Sequence, residues 1–357
     1  MIFRITRLPE VWQYRRVKKS NMQEGPVKRL TLDEVEDVAR CTLTAAGASV
    51  EAAAAVARST RLAERDGIRS HGLLYVPVYA EHLRCGKVEG AAVPRVKHSR
   101  AGALRVDAAH GFAHTAIDAG WAAFTTAARA CGIAAMSVYR SYNCGVLGHH
   151  AERLAEAGLV GLCMTHAPAS IAPIGGKRPV IGTNPIAIAV PNEASGARLV
   201  IDQSASVVAK SEILLRSKSD TPIEPHWALD AEGVPTTDAQ AALAGSMQPA
   251  GGYKGFGLGL IVEIFAAALS GANLSNEASP FSGSSGGPPG TGQFFIAVDP
   301  AAFAGRAFAP ALERLCNSIE VQEGARLPGS RRAANRVRIE AEGVNVDEAL
   351  MARIAAA

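Results

Sequence analysis

Aromatic side chains make up only 5% of this chain, too few for the stacked platforms that grip single-stranded nucleic acid. The net charge of +4 is small for 357 residues. Outside the first thirty residues nothing gathers it into a basic stripe, so a nucleic-acid partner is not expected. No apolar run reaches the roughly 18 residues that a membrane span needs. The six cysteines, Cys41, Cys85, Cys131, Cys144, Cys163 and Cys316, include no C-x-x-C pair. That spacing excludes a zinc ribbon and a disulfide framework, and it fits free thiols in a reducing cytoplasm. Two phosphate-binding fingerprints are missing as well: no G-x-G-x-x-G follows a strand, and no G-x-x-x-x-G-K-[ST] occurs. The run GPPGTG at 287–292 lacks both the lysine and the following helix, and it reads as a plain flexible loop.

What is present is a large apolar share, 48% of the residues, enough for one large core or two smaller ones. Residues 1–28 are basic without sustained periodicity. They lack the apolar stretch and cleavage site of a signal peptide, so they read as a disordered extension, with a basic transit-like arm or a true start at Met22 as the other options. Order begins near Leu30, where Thr31 and Glu34 form a capping box ahead of Val35, Val38 and Ala39. A second, Ala-rich helix opens at Ser49 and ends at Asp66-Gly67. The segment 70–86 reads as a helix interrupted by Pro77 and stopped by Gly86. From there short strands and helices alternate: strand 103–106, helix 115–131 ending at Gly132, strand 133–138, helix 151–157, strand 159–164, strands 186–190 and 199–201, then an apolar helix over 255–270. Such alternation predicts an α/β fold. Residues 271–292 form a Gly/Ser/Pro-rich loop, long enough to act as a mobile flap or an exposed connection. Strand 293–298 and a helix around 310–317 follow. There are no internal repeats.

Three features suggest a site. The first is Ser-His-Gly at 70–72. A histidine titrates near neutral pH and suits proton transfer, although on its own His71 also fits a helix cap satisfied by backbone. The second is Asp202 at the end of a predicted strand, a common site position in α/β sheets and equally a fair N-cap for 204–210. The third is a series of glycine turns that let backbone approach a ligand: one around Gly145, Gly-Thr-Asn-Pro at 182–185, and GGYKGFGL at 251–258. The adjacent His149 and His150 point about 100° apart on a helix. They do not converge on one ion, and no metal is expected.

Taken in order, SHG, SYNCG at 141–145, GTNP, Asp202, GVPTTD at 233–238, GGYKGFGL and LPG at 327–329 resemble the malate/L-lactate dehydrogenase family of NAD(P)-dependent 2-oxoacid reductases. The likeness covers roughly residues 30–340. It implies an α/β fold with a non-Rossmann nucleotide domain over 108–299. A mixed lobe built from 30–107 and 300–357 would flank it, and 1–29 would be the extension. It also implies a cytoplasmic homodimer that uses NAD or NADP. His71 is then the implied proton donor, with Asp202 bonded to it to fix its tautomer and raise its pKa. Thr60, Tyr75 and Asn143 fall at substrate positions. Asn143, Gly145, Gly182, Thr183, Asn184, Pro185, Lys254 and Gly255 fall at the cofactor, although Lys254 read alone is a solvated lysine.

Two positions depart from the family pattern. Asn143 stands where members carry a second histidine, and asparagine cannot deliver a proton. Tyr75 stands where many carry an arginine, and tyrosine cannot make the bidentate carboxylate clamp. The replacement cation is left open among Arg61, Arg65, Arg140 and Lys210. The expected activity is hydride transfer to a small 2-oxo acid. The alternatives are reduction of a cyclic 2-imino acid (Δ1-pyrroline- or Δ1-piperideine-2-carboxylate) and a family member that binds nucleotide or metabolite without turnover.

Overall fold

The structure, a computed structural model, describes residues 27–192 and 196–357. Most of the extension expected over 1–29 lies outside that range. Its last three residues do not behave as an extension: they belong to strand β1 (Val27–Leu30), which pairs antiparallel with β11 (Val344–Asp347). The two chain ends therefore share one small sheet. They also share one core, in which Leu30, Val35 and Ala57 meet Ile339, Val346 and Ile354.

The main sheet has seven strands: β2 (Arg95–Arg100), β3 (Ala103–Asp107), β4 (Ile133–Ser141), β5 (Val160–Thr165), β6 (Ile186–Pro191), β7 (Ala197–Gln203) and β10 (Thr291–Val298). Their order is β2-β3-β4-β10-β5-β6-β7. Only β3 and β4 pair in parallel, joined by the helix Ala113–Cys131; β10 lies antiparallel between β4 and β5. The α/β reading holds, with a mixed sheet. β8 (Ala228–Leu229) and β9 (Ser246–Met247) form a separate hairpin-like pair over the small core of Ile171, Ile181 and Met247.

Local chemistry accounts for most boundaries. Thr31 and Glu34 make the full reciprocal capping box, and Ser49 accepts from Ala52 N–H at 3.2 Å. Gly132, at φ +79°, stops the crossover helix in the left-handed region that favours glycine. Pro77 behaves differently from the expectation. It sits in the first turn of the helix Val76–Arg84, after two short 3-10 turns, Arg69–His71 and Leu73–Tyr75. Proline has no N–H to lose at a helix start, so it opens this helix instead of breaking it. The apolar helix runs as Tyr253–Glu263 and then widens into π-helical Ile264–Leu269.

The register decides where function can sit. β4, β5 and β7 end, and β6 and β10 begin, at the same edge of the sheet: Ser141 pairs with Thr291, Thr165 with Gln293, and Gln203 with Ile186. The segments holding Asn143, the GTNP turn, Asp202 and the 271–290 loop all leave the sheet at that edge.

Candidate active site

Asp202 closes β7 with two donors on one oxygen: Gly148 N–H at 3.0 Å and Arg332 Nη2 at 2.8 Å. Gly148 lies in the first turn of the helix Leu147–Glu156, where backbone N–H groups are unpaired and favour an anion. Arg332 comes from the helix Ser330–Glu342, which the sequence reading passed over. The expected hydrogen bond from His71 to Asp202 is not among these bonds. A guanidinium and a helix N-terminus outcompete a neutral imidazole for the carboxylate, and His71 Nδ1 instead lies 3.0 Å from Ser70 Oγ. Asp202 still acts on His71 through space. His71 keeps solvent access yet is surrounded by protein, as in a cleft. That desolvation lowers its pKa, the Asp202 carboxylate raises it, and His149 and Arg332 lower it further.

Asn143 follows β4 and spends its side-chain oxygen on Tyr79 Oη at 2.9 Å and Gly145 N–H at 3.2 Å. It is walled by tyrosines. Tyr75 and Tyr79 meet edge to face at 4.8 Å, and Tyr79 and Tyr142 at 6.0 Å. Burial pushes the Tyr75 phenol up to about 12, against hydrogen bonding with Tyr142 and Asn143. Thr60, also expected at the substrate, is buried in its helix and donates to Val56 O at 3.0 Å.

The 271–292 loop closes this wall. Tyr75 Oη donates to Phe281 O, His82 Nε2 lies 3.1 Å from Gly283 O, and Lys87 Nζ donates to Pro280 O at 2.7 Å and Gly283 O at 3.0 Å. His82 Nδ1 pairs with Tyr142 Oη, and the Phe281 ring packs on Tyr142 at 5.1 Å. The loop, expected to be a mobile flap or an exposed connection, is thus tied down at its centre. Fully buried Lys87 was not singled out from sequence, because its partners are carbonyls almost two hundred residues away.

The remaining turns meet the same edge. Asn184, at φ +36° and fully buried, gives its amide to Gly259 O at 3.0 Å and Glu263 Oε2 at 2.8 Å, and accepts from Ala167 N–H at 3.3 Å. It therefore fastens the GTNP turn to the apolar helix. Thr183 O accepts from Ala205 N–H at 2.8 Å and Ser204 Oγ at 3.2 Å, so the turn lies against the segment after Asp202. Pro185 O receives Thr165 N–H. A Cβ on Gly182 would meet Ala167 O at 2.1 Å, one on Gly255 would meet Ala250 O at 2.1 Å, and one on Gly145 would meet Ser59 Oγ at 2.5 Å. Lys254 is exposed one residue into the helix Tyr253–Glu263, whose start at Gly252 has no side-chain cap. A histidine not singled out earlier, His166 after β5, is buried; its Nδ1 receives Gly292 N–H at 3.3 Å, and its Nε2 has no hydrogen-bond partner among the described residues.

Of the cations left open, Arg61 pairs with Asp33 and Glu36, Arg65 with Asp66, and Arg140 with Asp107. Lys210 forms no ion pair among the described residues, and its surroundings lower its pKa. His149 and His150 diverge, one to Asp66 Oδ2 at 3.0 Å and the other to Cys144 O at 2.9 Å. No group of three or more metal-ligating side chains stands together among the described residues.

Known proteins resemble this chain in sequence and in fold. The malate/L-lactate dehydrogenase family profile matches residues 30–355. A (2R)-3-sulfolactate dehydrogenase (NADP(+)) of Chromohalobacter salexigens is 43% identical over 324 residues, covering 91% of this chain and 96% of the relative. A Δ1-pyrroline-2-carboxylate reductase of Ancylobacter novellus is 40% identical, covering 92% and 97%. The crystal structure of Δ1-piperideine-2-carboxylate reductase from Pseudomonas syringae pvar. tomato superposes with a TM-score of 0.86 at 34% identity, covering 92% and 98%. On the ordered motifs, the fold and these likenesses, the chain belongs to the malate/L-lactate dehydrogenase family.

Proposed function

We propose that the chain is an NAD(P)H-dependent reductase acting at the carbon next to a carboxylate, and that its substrate is a cyclic 2-imino acid. The observation that carries the substrate choice is the wall of Tyr75, Tyr79 and Tyr142 around Asn143, with tyrosine and asparagine at positions where an arginine clamp and a second histidine would serve an open-chain 2-oxo acid. A small 2-oxo acid is the second reading, favoured by the likeness to the sulfolactate dehydrogenase.

The residues present fit a dinucleotide. An uncapped helix start with exposed Lys254 suits a phosphate, whereas Gly145, Gly182 and Gly255 are glycines because a Cβ there would strike the protein's own atoms, and they shape the turns around the site. Asn184 shapes that site without touching the ligand, since its amide is fully used inside the protein. NADP is the favoured form, from the name of the (2R)-3-sulfolactate dehydrogenase (NADP(+)) relative. The cofactor supplies hydride to C2 when bound. The chain's own residues do the rest. His71 gives its proton to the developing alkoxide of a 2-oxo acid, or keeps the imine nitrogen protonated so that hydride alone completes the amine. Asp202, held by Gly148 and Arg332, supports the charged imidazole through its field.

The active unit is a homodimer formed through the exposed face of the apolar helix. The division into a nucleotide domain over 108–299 and a lobe from both chain ends is part of the same reading, supported by the shared β1–β11 core. A cytoplasmic location agrees with six unpaired cysteines, three of them exposed. No helix among the described residues is long and apolar enough to cross a membrane.

The test is oxidation of NADH and NADPH at 340 nm with Δ1-pyrroline-2-carboxylate, Δ1-piperideine-2-carboxylate, pyruvate, oxaloacetate and 3-sulfopyruvate. Turnover on the imines supports the proposal. Turnover confined to the open-chain acids replaces it with the second reading, and no turnover on any of them leaves a binding protein.

A further inference from the structure

Glu64 is a buried carboxylate, 3% exposed, in the last turn of the helix Val50–Arg65 that precedes the Ser-His-Gly segment. Its Oε1 accepts Leu73 N–H at 2.8 Å. Gly72 lies directly against it: a Cβ there would stand 2.1 Å from Oε1 and 2.5 Å from Cδ. Space there calls for glycine, because the carboxylate occupies the position of a side chain. On its far side Glu64 borders a cavity of about 380 Å³, where Arg29, Arg69, Arg338 and Glu342 are the charged groups facing it. Burial raises its pKa, while Leu73 N–H and Arg69 lower it.

A carboxylate is an expensive way to fill this spot. Burying one costs several kcal/mol unless it is well bonded, and an apolar side chain of similar volume is commonly neutral or better for stability. What an apolar group cannot do is hold the N–H two residues beyond His71. We propose that Glu64 is a positioning residue: it tethers the 71–73 backbone and so fixes where the His71 imidazole stands relative to the reacting carbon. This rests on reading His71 as the proton donor.

The test compares Glu64→Ala and Glu64→Gln in the full chain. Glutamine keeps an acceptor for Leu73 N–H; alanine removes it. Amide exchange by mass spectrometry over 71–75 should rise at least tenfold in the alanine variant and stay near the parent rate in the glutamine variant. kcat should fall roughly ten- to a hundred-fold in Glu64→Ala, the scale of a misplaced catalytic group, with KM changed less than about threefold. Glu64→Gln should recover most of kcat. Should Glu64→Ala fail to fold, Glu64→Asp keeps the charge but shortens the reach, and it should show the same exchange and kcat losses. Unchanged exchange and kcat in the alanine or aspartate variant overturns the proposal. So does a loss seen only in KM, or a glutamine variant as impaired as alanine. A parent enzyme that turns over none of the acids defeats the proposed function, and the exchange data still decide the tether.

Discussion

Arg332 and Asp202 are joined at 2.8 Å across 130 residues of sequence, and the pair stands within electrostatic reach of His71. The two charges pull the imidazole in opposite directions. The carboxylate favours the protonated ring and the guanidinium disfavours it, so the chain end tunes the proposed proton donor without touching it.

A prediction with two opposite signs follows from that. Reduction needs His71 protonated, so kcat/KM should fall as pH rises through the His71 pKa, which burial holds below its ordinary 6.5. Asp202→Asn removes the raising influence and should move that limb to lower pH. Arg332→Met removes a lowering influence and should move it to higher pH. Limbs that shift together, or not at all, would show that His71 is not the group being titrated.

Asn143 should matter to the fold as well as to the substrate. Asn143→Ala deprives the buried Tyr79 hydroxyl and Gly145 N–H of their acceptor, and an unsatisfied buried donor costs about 1–3 kcal/mol. The urea midpoint should drop accordingly. Asn143→Asp, which keeps an acceptor at the same place, should recover part of the loss.

Much of the scaffold was legible because its signals are local. The capping box at Thr31, the stop at Gly132 and the apolar strands 133–138 and 159–164 each depend on residues within a turn or on a simple run. The helix Ser330–Glu342 was missed for the opposite reason. Its inward side carries Arg332 and Arg336, four apart, toward Asp202 and Asp66, while Val337 is 73% exposed. Hydrophobic periodicity does not find a helix whose inward side carries arginines and a single buried apolar residue, Ile339. The same limit applied to the site. His71 and Asp202 could be named, but their bonds to Ser70, Gly148 and Arg332 depend on which backbone and guanidinium donors the tertiary fold delivers. Asn184 was expected at the cofactor because the family resemblance places Gly-Thr-Asn-Pro there; a resemblance in sequence does not say which side of the turn the side chain takes.

The loop over 271–292 should be released by a single change. Lys87 is fully buried and, among the described residues, bonded to the carbonyls of Pro280 and Gly283. Lys87→Met fills the same space without donors, taking from Pro280 O its Lys87 bond and leaving Gly283 O to His82 Nε2. Limited proteolysis should then cut near 280–284 at least several-fold faster than in the parent. Unchanged cleavage would mean that Tyr75 and His82 hold the loop by themselves.

Asp66 should set an acid limit on the stability of the fold. Its side chain is fully buried between Arg336, at 2.7 and 2.8 Å, Arg65 at 3.0 Å and His149 at 3.0 Å; burial by itself would raise its carboxyl, but Arg336 and His149 hold it far below the ordinary 3.8. A depressed folded-state pKa gives stability that is present above the unfolded value and is lost as pH falls toward the folded one. Denaturant stability should therefore decline below about pH 4, and Asp66→Asn should flatten that decline while lowering stability at neutral pH. Arg336→Met should cost toward the lower end of about 3–5 kcal/mol, since it strands a buried charge that two other partners still compensate in part.

The apolar helix presents Tyr253, Leu260, Ile261 and Ile264 at 71, 39, 48 and 57% exposure. Their spacing of i, i+7, i+8 and i+11 puts them on one stripe. Gly257 lies within the stripe, and a Cβ there would meet nothing within 4 Å, so the surface is open to a close-packed neighbour. A helix apolar on its outer as well as its inner side would be a liability on a monomer, and a second copy of the same stripe is its natural cover. Ile261→Glu with Ile264→Glu should convert the assembly to monomers in sedimentation velocity. Lys254 and Gly255 open the same helix, so cofactor affinity should fall with the loss of the partner. A parent chain that sediments as a monomer would sink the dimer, and the stripe would need another occupant.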